Sequence, residues 1–198
     1  MKLDHQLATT LALESCRSAW ARMTEICEHG PVRNFVQVLD MSDFLVETEL
    51  FPRAALEAYS ALNMEEDLRE EQKQYVSELR GGAQGDYREG MKRKIANVVD
   101  CLSKFPQSKR AVITVCNEPV PHHSRDEDAK CLRELHLYLD DGGRLSGTVF
   151  FRAQAACLFP KNIHLIGSVM SAIAAQLPHK PALGSLFYLA TVLVSDRS

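Results

Sequence analysis

The feature that most restricts the fold is the turn Asp140-Asp141-Gly142-Gly143 together with the runs on either side of it. Upstream, Cys131, Leu135, Leu137 and Leu139 alternate with Glu134, His136 and Tyr138, which is the period-two pattern of a strand with one buried face. Downstream, Leu145 to Arg152 returns as the partner strand, and a turn of this Asp/Gly composition joins such strands into an antiparallel hairpin. Beyond the hairpin, Asn162 to Leu177 carries Ile163, Ile166, Val169 or Met170, Ile173 and Leu177 at helical spacing. A last strand is predicted from about Leu183 to Val194.

The earlier half of the chain alternates helical and extended textures. Residues 7 to 28 read as an amphipathic helix with Cys16, Trp20, Met23 and Cys27 on one face, ended by Gly30-Pro31. Asn34 to Leu50 is β-compatible in two runs, Phe35 to Leu39 and Phe44 to Val46, with a turn from Asp40 to Asp43. Pro52 opens a helix to about Leu62, and Glu65 to Glu78 reads as a solvated helix with Tyr75, Val76 and Leu79 inward. After the Gly81-Gly82 and Gly85 loop, Tyr87 to Phe105 is helical, with Met91, Ile95, Val98 or Val99, Leu102 and Phe105 on one side and Pro106 closing it. Arg110 to Cys116 is a short buried strand, and Asn117 to Lys130 is a loop. The class is mixed α/β. No Pro/Gly/Ser-rich linker divides the chain, so residues 1–198 read as a single domain.

Composition narrows the partners. A net charge of −3 gives no general attraction to nucleic acid or membrane, although a local cationic pocket is compatible with it. No apolar run approaches the roughly 18 residues of a membrane span, and the N-terminus lacks a signal-peptide core, so a cytoplasmic location is expected. Six scattered cysteines without a Cys-x-x-Cys pair favour reduced thiols. The pair His122-His123 lacks further ligands at metal spacing, and no metal is expected there.

The hairpin also carries chemistry. It places Cys131 on one strand and Arg152 on its neighbour, with Lys109 and Arg110 shortly upstream. A thiol beside fixed cations suits an activated nucleophile next to an anion, because the cation favours the thiolate and a guanidinium donates two bonds to a phosphate. The competing readings are a core thiol for Cys131 and an ion pair with Asp126 or Asp128 for Arg152.

Read in order, the phrases Tyr87, Phe105-Pro106-Gln107-Ser108-Lys109-Arg110, Asp128-Ala129-Lys130-Cys131, the Asp-Gly hairpin, Arg152, Pro160-Lys161-Asn162, Ala172-Ile173-Ala174 and Leu183-Gly184-Ser185-Leu186 resemble the thymidylate synthase and pyrimidine-nucleotide hydroxymethylase family. The resemblance covers roughly residues 87 to 196. It implies a bent sheet flanked by helices and a homodimer whose subunits share active-site residues. It also implies addition of a cysteine thiolate to carbon 6 of a pyrimidine nucleotide, so that carbon 5 attacks a one-carbon unit carried by folate. On that resemblance Cys131 is the nucleophile, and Arg152 binds the phosphate from its own subunit. Lys109 and Arg110 bind it from the partner, Asn162 bonds the pyrimidine edge, and Tyr87 belongs to the substrate site. The family's N-terminal catalytic glutamate is best placed at Glu57, with Tyr59 beside it.

The sequence also departs from that pattern. Pro-Cys-His is replaced by Lys130-Cys131-Leu132, and the Ser and Asp that follow the phosphate-binding Arg are Ala153 and Ala155. One residue is missing between Arg152 and Asn162. The sugar-binding His-x-Tyr reads Phe187-Tyr188-Leu189, which sends Tyr188 to the opposite face of its strand. The family's C-terminal segment over folate has no counterpart after Asp196. Losing several polar contacts, each worth about 1.5–3 kcal/mol to a charged group, disfavours ordinary folate-dependent methylation of dUMP. The expectation is therefore a divergent enzyme of the methyl- or hydroxymethyl-transfer type, acting on a pyrimidine nucleotide or related heterocycle by cysteine addition. The alternative is a non-catalytic nucleotide-binding or scaffold subunit.

Overall fold

The structure is a computed structural model, and it describes residues 11–76, 85–115, 118, 120–122, 124–125 and 130–196. Its elements are β1 (Leu13–Ser15), α1 (Cys16–Ile26), β2 (Val32–Asp40), α2 (Arg53–Asn63), α3 (Glu70–Lys73), α4 (Met91–Lys104), β3 (Val112–Thr114), β4 (Leu132–Leu139), β5 (Leu145–Ala155), α5 (Phe159–Gln176) and β6 (Leu183–Val194). A 3-10 turn, Ala156–Leu158, leads from β5 into α5. Among the described residues the strands form one six-stranded mixed sheet in the order β1-β2-β6-β5-β4-β3. The architecture is mixed α/β.

The hairpin forms where its pattern requires. β4 and β5 pair antiparallel, with Leu139 opposite Leu145. The turn is held by Asp140, whose Oδ1 accepts from the backbone of Gly142 at 2.9 Å and of Arg144 at 3.0 Å. Gly143 takes φ of 70°, a left-handed conformation that a side chain would resist. Leu135 and Leu137 are buried while Glu134, His136 and Tyr138 are exposed, and a register shift between Leu132 and Glu134 lets Leu132 turn inward too. β5 then runs parallel to β6, and β6 antiparallel to β2.

One face of the sheet is the floor of the core. Phe35, Leu39, Val149, Phe151, Leu186, Tyr188 and Ala190 are buried there, and the core residues form one cluster with the inward faces of the helices. On α5 nearly every position is buried, from Phe159 to Ile173, and it packs against α2 and α4. The stretch Ala156–Gln176 is apolar and long enough to pass as a membrane span by composition, contrary to the sequence expectation, but most of it is buried inside the protein. On the other face of the sheet, Val36, Val38, Phe187 and Leu189 are half-buried, and Tyr138 and Phe150 are exposed.

Midway along the sheet the alternation slips. Burial in β5 passes from Val149 and Phe151 to Gln154, and in β6 from Tyr188 and Ala190 to Leu193. Because Phe151 pairs with Ala190 and Gln154 with Leu193, both strands slip at one level and keep their mutual register. The consequence is that Gln154 faces the core.

Several boundaries differ from the sequence expectations. The first helix begins at Cys16, capped by Ser15 Oγ accepting from Ser18 N at 3.1 Å, and a short strand precedes it. Phe44 to Val46 does not form a strand. It crosses α5 instead, where Phe44 lies against Gly167 so closely that a Cβ there would come within 2.2 Å of the ring. The polar helix shrinks to Glu70–Lys73, and Val76 is 42% exposed. α4 starts at Met91, with Glu65 accepting from the backbone of Gly90 and Lys92 at its N-terminus, and Phe105 is exposed. Cys116, Leu79 and the Gly81-Gly82 pair lie outside the described residues.

Candidate functional site

The site is built where the open end of the hairpin meets the first turn of α5. Cys131 sits immediately before β4, and its carbonyl accepts from the backbone N–H of Arg152 at 2.8 Å. That pairing aligns the side chains, so Arg152 Nη2 lies 4.0 Å from Cys131 Sγ. Both residues are half-buried. Asp126 and Asp128, the alternative partners for Arg152, lie outside the described residues.

Tyr87 closes one side. It is buried; its hydroxyl accepts from the backbone of Leu132 at 3.4 Å, next to Cys131, and its own N–H donates to Asn63 Oδ1 at 2.6 Å. Asn63 in turn donates to the carbonyl of Tyr59 at 3.0 Å, which ties the approach to α4 onto α2.

The floor is a relay of amides and a phenol. Gln154 Oε1 accepts from Asn162 Nδ2 at 2.9 Å and from the Tyr188 hydroxyl at 2.7 Å. Tyr188 is 0% exposed, stacked on Phe151 at 5.3 Å and met edge-on by Phe159 at 5.5 Å. Its hydroxyl is held protonated well above the usual phenol range, first by burial and then by the proximity of Tyr87 and Cys131. The expectation that Tyr188 points to the opposite face of its strand is corrected: Phe187 and Leu189 take that face, and Tyr188 is turned toward Cys131 and Gln154.

Beside Asn162 stands Lys161, 2% exposed in the first turn of α5. Its Nζ lies 4.7 Å from the centroid of the Tyr59 ring, and the Tyr59 hydroxyl donates to the carbonyl of Gly85 at 2.8 Å. A Cβ at Gly85 would come 2.8 Å from Lys161 Nζ and 3.3 Å from the Tyr59 hydroxyl, so a side chain there would push the flexible end of Lys161 aside.

The structure thus gathers Cys131, Arg152, Asn162 and Tyr87. It does not gather Glu57. That residue is on the exposed side of α2, while Tyr59 and Ser60 are buried. Two positions along a helix are about 200° apart, so Glu57 and Tyr59 could not share a face. Lys109 and Arg110 are exposed in the turn between α4 and β3, where the Arg110 carbonyl accepts from Cys101 Sγ at 3.6 Å. Sequence reasoning missed Gln154, Lys161 and the role of Tyr188. A lone lysine inside an apolar helical run was a readable signal, since such a charge is costly to bury. The slip that turns Gln154 inward left no mark in the sequence.

A second buried polar cluster lies farther along α5. Ser60 Oγ is 2.7 Å and Ser168 Oγ 3.5 Å from His164 Nδ1, and Phe44 meets the imidazole edge-on at 5.5 Å. Burial, then the charge of Arg53, lowers the His164 pKa to about 4. His122 is exposed, with Nδ1 2.9 Å from Ser124 Oγ, and His123 lies outside the described residues.

No protein-family model matches the chain, and no curated protein matches it.

Proposed function

We propose that the chain is a divergent thymidylate-synthase-like enzyme that activates a pyrimidine nucleotide, or a related heterocycle, by covalent addition of Cys131 to the ring. The observation that carries this reading is the placement of the Cys131 sulfur 4.0 Å from the Arg152 guanidinium, with the Asn162 amide held nearby through Gln154 and Tyr188. A guanidinium at that distance favours negative charge on sulfur, and the thiolate is the attacking form. Addition to carbon 6 forms the C–S bond and moves the ring electrons to carbon 5. Carbon 5 then takes up a proton or attacks a one-carbon electrophile. Loss of the original carbon 5 proton expels the thiolate and restores the ring.

Arg152 is the phosphate ligand from its own subunit. Lys109 and Arg110, both exposed, are lent by the partner in a homodimer formed through the open sheet face of Val36, Val38, Phe150, Phe187 and Leu189. The gathered residues account for ring binding and activation, and none of them marks a place for folate. Methyl- or hydroxymethyl-transfer is the reaction type. Glu57, exposed, is not assigned the proton transfer.

Exchange of the carbon 5 hydrogen of pyrimidine nucleotides with solvent tests the reading. Wild type is expected to catalyse exchange and Cys131→Ala to lose it by at least about a thousandfold. Absence of exchange and of any adduct across uracil- and cytosine-type nucleotides and related heterocycles would refute it. The second reading, a nucleotide-binding or scaffold subunit, is favoured by Ala153 and Ala155, which leave the strand beside Arg152 without a hydroxyl or carboxylate. Under it, nucleotide binds and Cys131→Ala is silent.

A further inference from the structure

We propose that Asn63 is a positioning residue for the Cys131 thiol, acting from the end of α2 through Tyr87; that this thiol is a nucleophile rests on the reading above. The need for such a residue arises at the start of β4. A register shift interrupts the pairing of β4 with β5 between Leu132 and Glu134, and the backbone N–H of Leu132 donates to a side chain, the Tyr87 hydroxyl, at 3.4 Å. The carbonyl of Cys131 accepts from the backbone N–H of Arg152 at 2.8 Å. That carbonyl and the Leu132 N–H belong to one planar peptide unit, which is thus clamped from both sides. On one side is the residue that carries the guanidinium, and on the other is a phenol. The clamp sets where the Cys131 sulfur stands, 4.0 Å from Arg152 Nη2.

A phenol can hold a peptide in place only if its own backbone is held. Asn63 does this. It is the last residue of α2 and is buried. Its Nδ2 donates to the Tyr59 carbonyl one turn back at 3.0 Å, and its Oδ1 accepts from the Tyr87 N–H at 2.6 Å. A peptide carbonyl only accepts and a peptide N–H only donates, so the Asn63 amide has one orientation. A second bond from the same helix, Tyr59 hydroxyl to the Gly85 carbonyl at 2.8 Å, fixes the segment two residues earlier. The last turn of α2 therefore grips Gly85 and Tyr87, and Tyr87 passes the constraint to the peptide beside the thiol. Without Asn63 that peptide keeps its Arg152 bond but loses its second anchor. The sulfur then wanders from the guanidinium, and less of it is thiolate near neutral pH.

The rate of Cys131 alkylation by iodoacetamide against pH, read on the Cys131 peptide by mass spectrometry, tests the role without any nucleotide. Asn63→Ala and Tyr87→Phe are each expected to slow alkylation at about pH 7 by at least about fivefold and to leave the rate at about pH 10, where the thiol is ionised, unchanged. The double variant should be no slower than either single one, because both act through one bond. Ser60→Ala is the control for general loosening of α2, being as buried and bonded to His164 at 2.7 Å. It should keep the wild-type profile. Tyr59→Phe keeps the ring and removes only the bond to Gly85, so it tests the grip even if Asn63→Ala fails to fold. A slowing of about twofold or more, again confined to neutral pH, is expected of it. A wild-type profile in Asn63→Ala, additive effects with Tyr87→Phe, an equal slowing in Ser60→Ala, or a wild-type profile in Tyr59→Phe overturns the proposal. Hydrogen exchange at carbon 5 separates this from the nucleotide reading. The expected alkylation pattern with no exchange in wild type would refute that reading and keep the positioning role. Exchange in wild type with an unaltered alkylation profile in Asn63→Ala would do the converse.

Discussion

Among the polar side chains that helix α5 buries, Asn162 and His164 lie two positions apart, and the protein finishes them differently. His164 meets Ser60 at 2.7 Å and is walled by Phe44, which lies against Gly167. Asn162 is tied through one end only, to Gln154, and its Oδ1 is left buried and unpaired. The first arrangement turns the Nδ1 edge of its imidazole onto two serine hydroxyls inside the fold. The second keeps an acceptor in reserve. What separates the two clusters is not burial, which both share, but the buried amide oxygen of Asn162 that has no hydrogen-bond donor.

The largest separation between the two regions is expected in activity. Cys131→Ala should abolish exchange at carbon 5 by at least about a thousandfold while shifting unfolding free energy by less than about 1 kcal/mol. Ser60→Ala should do the reverse. Exchange persists, and stability falls by about 1–3 kcal/mol because the buried imidazole nitrogen loses its hydroxyl partner. Equal effects of both substitutions on activity would erase the distinction.

Between about pH 6.5 and 5, above the carboxylate range, acid should probe the His164 cluster. Its folded pKa of about 4 lies below the unfolded value near 6.5, so the folded state binds fewer protons in between. The stability this represents is fully present above about pH 6.5. It is lost as pH falls through the window toward about 4, by about 3 kcal/mol in all. Denaturant unfolding at pH 7, 5.5 and 4.5 measures it, and His164→Met should flatten the slope in that window. A slope unchanged by that substitution would place the acid sensitivity elsewhere.

Two glycines sharpen the contrast by sterics. At Gly167, a Cβ would stand 2.2 Å from the Phe44 ring, and at Gly85 it would stand 2.8 Å from the flexible end of Lys161. Gly167→Ala should cost about 1–3 kcal/mol of stability and leave nucleotide affinity alone. Gly85→Ala displaces Lys161 and Tyr59 beside Asn162, so its smaller cost, about 1 kcal/mol or less, should come with a weakened nucleotide affinity. Thermal unfolding and titration on the same two variants decide it.

The hairpin, the last strand and the apolar α5 were legible because their periodicities are strong and their punctuation local: Asp140 and Gly143 close the turn, and Pro160 sits in the first turn of α5. Cys131 and Arg152 were paired from the same hairpin. Other features were set by tertiary context. Phe44 to Val46 has strand composition, yet it packs on α5, with Phe44 against Gly167, instead of joining the sheet. Tyr188 was assigned to the wrong face because a motif offset says nothing about which face of β6 meets the helices. Gln154 was invisible for a related reason, since a slip shared by two strands changes facing without changing composition. Glu57 was chosen for its chemistry, and the helical period then carried it to solvent.

The most direct test of the account is the intact mass of the protein after incubation with a 5-nitropyrimidine nucleotide, whose nitro group delocalises the charge left on carbon 5 and lets the adduct accumulate. The expected result is one added nucleotide, mapped to the peptide containing Cys131 and absent from Cys131→Ala. No adduct, or an adduct carried instead by another cysteine such as Cys101 or Cys157, half-buried like Cys131, would contradict it.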